Sequence, residues 1–330
     1  MADNAEDNDG DGDIFVYRGG RAPQHITHAL IDKSVYEVAD NAFERCQNLL
    51  QVDTHDGLRK IGKMAFYKCE SLGRINIKSV VEIEEWAFWR CENLEYVEFG
   101  DRLETIGTSA FEECTSLLHL KLPSVITIGP AAFYNCENLF DIELSERLET
   151  IGIGAFQDCE RLQRIAIPLK RDLFYGDDDF NWEGYSTQFL NCEQLKRVDL
   201  VGGIRKTVAS LHMKSWRKEI RAEIKSINQV LPNTPVPRQT YEIEQWMDSV
   251  IDKIDHYKAE HYRYVKEGMT FLELALWKAK LGEKEDKEDS PVERQTKKAK
   301  VDSESARKDR RITCGADMVI KNVLPFLKLE

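Results

Sequence analysis

The sequence predicts an α/β fold, in which a solenoid of parallel strands and short helices is followed by an all-α C-terminal extension. The first observation behind this prediction is a motif that recurs every 22 or 23 residues between about residues 34 and 200. The second is a change from two-residue to helical periodicity of the apolar residues after about residue 211. A chain of 330 residues with 42% hydrophobic residues can bury a core of this kind.

The recurring motif is Ala-Phe-x2-Cys-x2-Leu, in which Phe and Cys are three residues apart. Six copies follow one another at intervals of 23, 22, 23, 22 and 23 residues, a register that chance does not produce. A seventh copy, around Phe189 and Cys192, follows after 33 residues and therefore holds an insertion, at residues 168–187. A fixed period of this length is typical of solenoids. The phenylalanines of the regular copies are Phe43, Phe66, Phe88, Phe111, Phe133 and Phe156.

Each repeat predicts one coil made of a short helix, a turn and a strand. After each motif the residues alternate, as in LGRINI at residues 72–77, which indicates a strand with one buried face. A second apolar pair, such as Leu58 and Ile61, leads to a glycine in most copies, where we expect a tight turn or a positive φ. Phe and Cys at i and i+3 share one face of a short helix. Stacked coils then form one parallel sheet roughly 30 Å wide, with Phe43 in an end coil that has fewer neighbours.

The full repeat reads L-x-x-I-G-x-x-A-F-x-x-C-x-x-L-x-x-I-x-I-P, as residues 103–123 and 148–168 illustrate. This pattern resembles the BspA-like leucine-rich repeat family over about residues 34–200. The resemblance implies a leucine-rich-repeat solenoid and, by analogy, recognition of proteins. It implies no catalytic residues.

Shifts in composition and periodicity divide the chain into six segments. The first thirteen residues carry six acids and no base, unlike a secretory signal, and no run of about 18 apolar residues occurs. We therefore predict an intracellular protein, cytoplasmic or nuclear, with no membrane partner. The segments are a disordered acidic tail (1–13), an N-terminal cap (14–33), the leucine-rich-repeat solenoid of about seven coils (34–205), a helical extension (206–281), a disordered charged linker (282–311) and a C-terminal docking segment (312–330).

Seven of the eight cysteines occupy one position of the repeat, which predicts a buried, reduced column. Equivalent side chains of stacked coils point the same way, which disfavours disulfides. Zinc sites need cysteines a few residues apart, whereas neighbouring repeat cysteines are at least 22 residues apart. We therefore predict no metal and no cofactor, and we expect a Ser hydroxyl at Cys114 to lack a hydrogen-bond partner.

The C-terminal extension is predicted to hold three helices. The first has an apolar face from Trp216 to Leu231, and Pro232 ends it. The third begins at Thr270, which forms a capping box with Glu273. The second carries a stripe at heptad spacing that either packs on neighbours of the same chain or pairs with a second copy, so a homo-oligomer stays open. The stripe consists of Ile243, Met247, Val250, Ile254, Tyr257, His261 and Tyr264.

Charge and motifs favour recognition over catalysis. The formal charge of -12, from 46 basic and 58 acidic residues, argues against general attraction to nucleic acid or anionic lipid. No glycine-rich phosphate loop, zinc-ligand pair or catalytic triad stands out in the sequence. We therefore predict a non-enzymatic protein–protein interaction scaffold with a protein partner of unknown identity. The alternative is a nuclear or chromatin-associated factor with a basic C-terminal tail.

Strand residues that point away from the core form the candidate partner-binding surface. The residues before and after the first apolar position of each strand make two exposed columns. Both columns mix charges of either sign, a composition that suits a folded protein partner. The candidate residues are Arg74, Tyr96, Glu98, His119, Lys121, Asp141, Glu143 and Arg164. Four aromatic residues of the insertion, Phe174, Tyr175, Trp182 and Tyr185, either contact a partner or fold back over the last coil.

A basic cluster in the charged linker holds Lys297, Lys298 and Lys300, a pattern typical both of a nuclear-import signal and of a solvated linker. If an import receptor binds the cluster, replacing all three by Ala should abolish nuclear accumulation of a fluorescently tagged chain, because the receptor recognises their charge. The measurement is the nuclear-to-cytoplasmic fluorescence ratio, with Lys321→Ala together with Lys328→Ala as the control. An unchanged ratio in the triple variant contradicts the import hypothesis.

Overall fold

The computed structural model describes residues 14–174, 187–211 and 213–285, with side chains up to residue 278. The acidic tail, residues 175–186 of the insertion and the segment 286–330 lie outside the described residues. The chain forms two compact units, the first ending at Ile254 and the second beginning at Asp255. Within the described part, none of the helices combines the length and the apolar character that crossing a membrane requires.

The first unit is built on a solenoid of parallel strands, which confirms the predicted architecture. Each regular coil contributes two strands, one more than the sequence predicts, because the second residue of the second apolar pair, such as Ile61, also lies in a short strand. In chain order the strands are β1 (Phe15–Tyr17), β2 (His28–Ile31), β3 (Glu37–Val38), β4 (Gln51–Asp53), β5 (Lys60–Ile61), β6 (Arg74–Ile77), β7 (Glu82–Ile83), β8 (Tyr96–Phe99), β9 (Thr105–Ile106), β10 (His119–Lys121), β11 (Thr127–Ile128), β12 (Asp141–Glu143), β13 (Thr150–Ile151), β14 (Arg164–Pro168) and β15 (Arg197–Val201).

Three parallel ladders join these strands. The longer strands form two ladders, in the orders β1-β2-β4-β6-β8 and β10-β12-β14-β15, and the shorter strands form a third, in the order β13-β11-β9-β7-β5-β3. The single sheet that the repeat predicts is therefore interrupted between β8 and β10. Within each ladder, equivalent repeat positions lie opposite one another, as Gln51 lies opposite Arg74 and Arg74 opposite Tyr96.

The segment around each buried Phe is a series of turns, not the predicted short helix. In most coils the residues two before and two after Phe have a positive φ, such as Asn41 (56°) and Arg45 (59°) around Phe43. An α-helix does not accommodate such residues. Alternate turn amides donate instead to the next coil, from Phe43 N to Ala65 O and from Arg45 N to Tyr67 O, both at 2.7 Å. Hydrogen bonds between coils thus replace those within a helix.

The buried phenylalanines form one stacked column. From Phe43 to Phe189 the ring centroids of neighbouring coils are 4.8–5.7 Å apart, and their planes differ by 7° or less. Phe43 does not end the column, contrary to the prediction, because Tyr17 of β1 packs on its outer side at 5.0 Å. At the other end, Phe174 packs edge-on against Phe189 at 5.8 Å, so the start of the insertion folds back over the last coil.

The glycines after the second apolar pair begin a tight turn, one of the two expected alternatives, as Ala132 N donates to Gly129 O at 3.3 Å. The other alternative, a positive φ, is not found at these glycines, and the close approach of neighbouring coils is what requires them. A Cβ at Gly129 would lie 2.7 Å from the backbone nitrogen of Thr108, and one at Gly152 would lie 2.4 Å from that of Pro130. A side chain does not fit at such distances. The glycines therefore set how closely the coils stack.

The seven repeat cysteines are free and buried, which confirms the predicted structural column. From Cys69 to Cys192, each thiol donates to the carbonyl oxygen of the Phe in the preceding coil, as Cys114 Sγ does to Phe88 O at 3.3 Å. Burial raises the pKa of the Cys46 thiol to about 11 and places that of Cys114 well above its ordinary value. The thiols of Cys46 and Cys114 therefore stay protonated at neutral pH.

Three α-helices follow the strands, namely α1 (Ile204–Ser210), α2 (Lys214–Val230) and α3 (Gln239–Glu285). Two of them close the last coil with side chains. The amide of Phe189 donates to Thr240 Oγ1 of α3 at 3.1 Å, where a further coil would supply a carbonyl. On the outer edge of β15, Val198 N donates to Asn228 Oδ1 of α2 at 2.7 Å, and Asn228 Nδ2 donates to Val198 O at 3.0 Å.

Helix α3 continues through Thr270, so the predicted capping box with Glu273 is wrong. The Thr270 hydroxyl donates to the carbonyl oxygen of Lys266, four residues earlier, at 3.0 Å. This bond is available to a threonine in the middle of a helix, where no N-terminus needs a cap.

The heptad stripe divides between the two units. Its four members in the first unit are buried, namely Ile243, Met247, Val250 and Ile254.

Phe111→Ala should lower the free energy of unfolding by about 3–5 kcal/mol, because it empties a fully buried site in the column. Phe43→Ala should cost about as much, since Tyr17 and Phe66 enclose its ring on both sides. Phe140→Ala is the control, because this side chain is 41% exposed. Urea unfolding monitored by circular dichroism provides the comparison. A loss at Phe111 as small as that at Phe140 would show that the column does not hold the coils together.

Two variants of Cys114 test the hydrogen bond of its thiol. Cys114→Ala removes one of the two hydrogen bonds that Phe88 O accepts, while the bond from Cys91 N at 3.1 Å remains, so it should cost about 0.5–1.5 kcal/mol of unfolding free energy. Cys114→Ser should cost less, because Phe88 O is there to accept from the hydroxyl, which corrects the expectation that a serine lacks a partner. The measurement is urea unfolding at pH 7. If Ser proves more destabilising than Ala, the site requires an apolar side chain and not a donor.

Candidate partner-binding surface

The two predicted columns lie on the outer side of the longer strands, where β6 and β10 alternate exposed and buried residues. We call this surface the sheet face. The first column is Gln51, Arg74, Tyr96, His119, Asp141, Arg164 and Arg197, and the second is Asp53, Asn76, Glu98, Lys121, Glu143, Ala166 and Asp199. Apart from Ala166, which is buried, every member is at least partly exposed.

Ion pairs neutralise the C-terminal end of the sheet face. Arg164 lies 2.8 Å from Asp141 and 2.7 Å from Asp199, and Arg197 lies 3.0 Å from Asp199. Hydrogen bonds to Asp141 and Asp199 raise the pKa of Arg164. Burial opposes ionisation of Asp199, but the hydrogen bonds from Arg164 and Arg197 outweigh it and lower the pKa of Asp199. The predicted site residues Asp141 and Arg164 are thus engaged with other members of the columns.

The next candidates are also paired. Lys121 lies 3.7 Å from Glu143, and Glu98 lies 2.6 Å from Lys78. Of the eight predicted site residues, all within the described part of the chain, three make no ion pair. These three are Arg74, Tyr96 and His119.

An aromatic patch lies where the ladder is interrupted between β8 and β10. Tyr96 begins β8 and is 56% exposed. His119 begins β10, and its ring packs edge-on against that of Phe140, with 6.2 Å between centroids. Leu118 and Phe140 are exposed beside these residues, and Phe140 N donates to Leu118 O at 2.9 Å. We call Tyr96, Leu118, His119 and Phe140 the aromatic patch.

The sequence does not single out Leu118 and Phe140, because both precede the predicted columns by one residue. Their position, the first x of L-x-x-I, holds Gly73, Glu95, Gln163 and Lys196 in four other coils and Leu50 in the first. Apolar residues in two consecutive coils, at a position that is small or polar in most others, are the signal that would have identified them. Exposed apolar groups that adjoin one another are typical of protein interfaces.

Other predicted features lie outside the part of the chain that the structure describes. The cluster Lys297, Lys298 and Lys300 lies outside the described residues, as do Tyr175, Trp182 and Tyr185 of the insertion. Within residues 14–174, 187–211 and 213–278, no three His, Cys, Asp or Glu side chains come together as a metal site would require. The sheet face therefore offers contact area, aromatic rings and hydrogen-bonding groups to a partner.

A sequence model of the BspA type leucine rich repeat region matches the chain with six copies, over residues 23–127, 81–206 and 123–229. The overlapping stretches run from residue 23 to residue 229, which is more than half of the chain. The match confirms the resemblance that the repeat pattern indicates.

Solved structures with similarity to the chain are bacterial leucine-rich repeat proteins. The leucine rich repeat protein of T. pallidum is 27% identical, covering 61% of this chain and 88% of that protein, with a TM-score of 0.47. A leucine-rich repeat protein from Bacteroides ovatus is 20% identical, covering 57% of this chain and 52% of that protein, with a TM-score of 0.42. No curated protein sequence matches the chain.

Proposed function

The chain belongs to the BspA-type leucine-rich repeat family, and we propose that it is a non-enzymatic scaffold that binds a folded protein through its sheet face. The observation that carries this proposal is the aromatic patch. Around it, the charged side chains of the face largely pair with one another, so a partner gains most by covering the exposed rings.

The composition of the patch resembles that of an interface centre. Tyrosine and phenylalanine bury large areas and lose few rotatable bonds, and such residues carry much of the binding energy of protein interfaces. Arg74, which makes no ion pair within the described residues, lies opposite Tyr96 and adds a polar group at the rim. Charge pairs such as Arg164–Asp141 orient the partner more than they strengthen binding.

The shifted pKa values support recognition rather than catalysis. Active sites commonly hold titratable groups in a cleft, and the pKa values of these groups are shifted to suit the reaction. Here, among the described residues, burial accounts for the raised pKa of the Cys91 and Cys114 thiols. Ion pairs account for the shifts of Arg164 and of Glu223, whose pKa falls because it accepts a hydrogen bond from Lys253. Each shift has a structural cause.

Tyr96→Ala combined with His119→Ala tests the sheet face. Affinity capture of the main partner by the full chain should fall by about tenfold or more, because the variant removes two adjacent contacts of the aromatic patch. Thermal stability should change little, since both side chains are exposed. The matched control is Tyr36→Ala, which removes a tyrosine that is 66% exposed beside β3 and should capture normally.

A second double variant tests whether the helical extension binds the partner. Phe271 and Trp277 of α3 are 71% and 70% exposed in the second unit. If Phe271→Ser with Trp277→Ser abolishes capture while the Tyr96 and His119 double variant captures normally, the extension is the recognition module. That result would overturn the proposed function of the sheet face.

A further inference from the structure

A cavity of about 750 Å³ lies at the C-terminal end of the sheet face, among β15, α1 and α2. Its floor is apolar: Val198 and Val208 are buried, and Leu200, Ile204 and Ile224 are partly exposed beside them. A floor of this kind accepts an apolar side chain. We call this space the basic cavity, because of the charges on its rim.

The rim carries Arg205 of α1 and Arg221 and Lys225 of α2, all exposed. Two acidic residues also line the cavity, but Asp199 is engaged by Arg164 and Arg197, and Glu143 lies near Lys121. No ion pair within the described residues involves Arg205, Arg221 or Lys225. The cavity therefore presents uncompensated positive charge.

The positive charge continues along α2. Lys214, Lys218, Arg221 and Lys225 recur at intervals of four, three and four residues, so they lie on one face of the helix. All four are exposed, and none forms an ion pair with a described residue. From Lys214 to Lys225 the stripe is about 16 Å long, at 1.5 Å per helical residue. We call these four residues the α2 stripe.

Contacts on other sides of α2 hold it in place. Ile220 and Ile227 are buried there. The side chain of Asn228 makes two hydrogen bonds to Val198 of β15, and Glu223 O accepts from Trp246 Nε1 of α3 at 2.9 Å. The α2 stripe is therefore presented by a fixed helix, which lowers the ordering cost of binding.

We infer that the basic cavity and the α2 stripe bind a short acidic segment of the partner protein. One or more apolar side chains of the segment enter the cavity, and its carboxylates contact the α2 stripe. An extended peptide rises about 3.3 Å per residue, so about five residues span the stripe. The inference rests on the proposed function, because it names the chemistry of a partner for a second surface of the same scaffold.

Charge and shape favour a peptide over nucleic acid. The α2 stripe offers four bases on a chain whose formal charge is -12. A longer polyanion would extend beyond the stripe, where the net negative charge of the protein repels it. Nucleic acid has no aliphatic side chain to place on the floor of the cavity, whereas burial of a leucine side chain there makes the free energy of binding more favourable.

The test measures binding of a fluorescein-labelled peptide, Asp-Glu-Leu-Asp-Glu-Leu-Glu-Asp, to the full chain by fluorescence anisotropy. We expect binding that weakens about tenfold when NaCl rises from about 50 to about 300 mM, because ions screen exposed charges. Arg221→Glu with Lys225→Glu should weaken binding by at least about tenfold. Replacing both leucines of the peptide by Ser should weaken it by about fivefold or more, because the aliphatic floor then has nothing to bury.

The matched control reverses two bases elsewhere, Lys33→Glu with Arg102→Glu, and should bind the peptide like the unmodified chain. Equal losses in both double variants would assign binding to overall charge and overturn the inference. So would the absence of peptide binding, no effect of the leucine replacements, or tighter binding of a single-stranded oligodeoxynucleotide that competes with the peptide.

The same variants separate this inference from the proposed function. If the peptide fails to bind but Tyr96→Ala with His119→Ala still weakens capture, the sheet face remains the recognition surface and only the inference about the basic cavity is wrong. If the peptide binds as expected and the Tyr96 and His119 double variant captures the partner normally, the inference about the basic cavity is supported and the proposed role of the sheet face is wrong.

Discussion

Each coil of this protein depends on the next one to satisfy its backbone. The turns that carry the buried phenylalanines contain residues with a positive φ, so they make no continuous helix, and alternate amides need acceptors outside their own coil. Those acceptors are carbonyls of the following coil, and the thiol column adds bonds to the preceding coil, as from Cys114 to Phe88 O. Packing and hydrogen bonding therefore act between the same neighbours, which makes the stack cooperative.

This dependence explains the structures at the two ends of the stack. At the N-terminal end, Tyr17 covers the ring of Phe43, and its hydroxyl accepts a hydrogen bond from Ala39 N at 3.2 Å. At the other end, Thr240 and Asn228 supply side-chain atoms where a further coil would supply backbone atoms. The start of α3 and the end of α2 are thus structural parts of the solenoid.

The repeat itself could be predicted because burial depends on residue type and spacing. Phe, Cys and the strand alternation repeat with one period, and the exposed columns follow from that alternation. Turn conformation was not predictable in the same way, because Phe and Cys at i and i+3 share a face in a helix and also in the observed turns. Gly129 likewise suits a positive φ or a close contact, and only the three-dimensional stacking distinguishes them.

Of the surface features, Tyr96 and His119 follow from the columns, whereas Leu118 and Phe140 depend on how neighbouring coils align.

The pairing of charges separates two kinds of surface on one scaffold. On the sheet face, equivalent positions of adjacent coils lie about 4.8 Å apart, so opposite charges in one column meet directly, as Arg164 and Asp141 do. What stays unpaired there is largely aromatic, and it favours a partner with an apolar surface. The bases of the α2 stripe have no such neighbours among the described residues, because a helix face replaces the next coil and ends the periodic pairing. At the end of the repeat, a solenoid of net negative charge can therefore keep exposed positive charge that its own residues do not neutralise. An acidic segment of a partner would neutralise that charge.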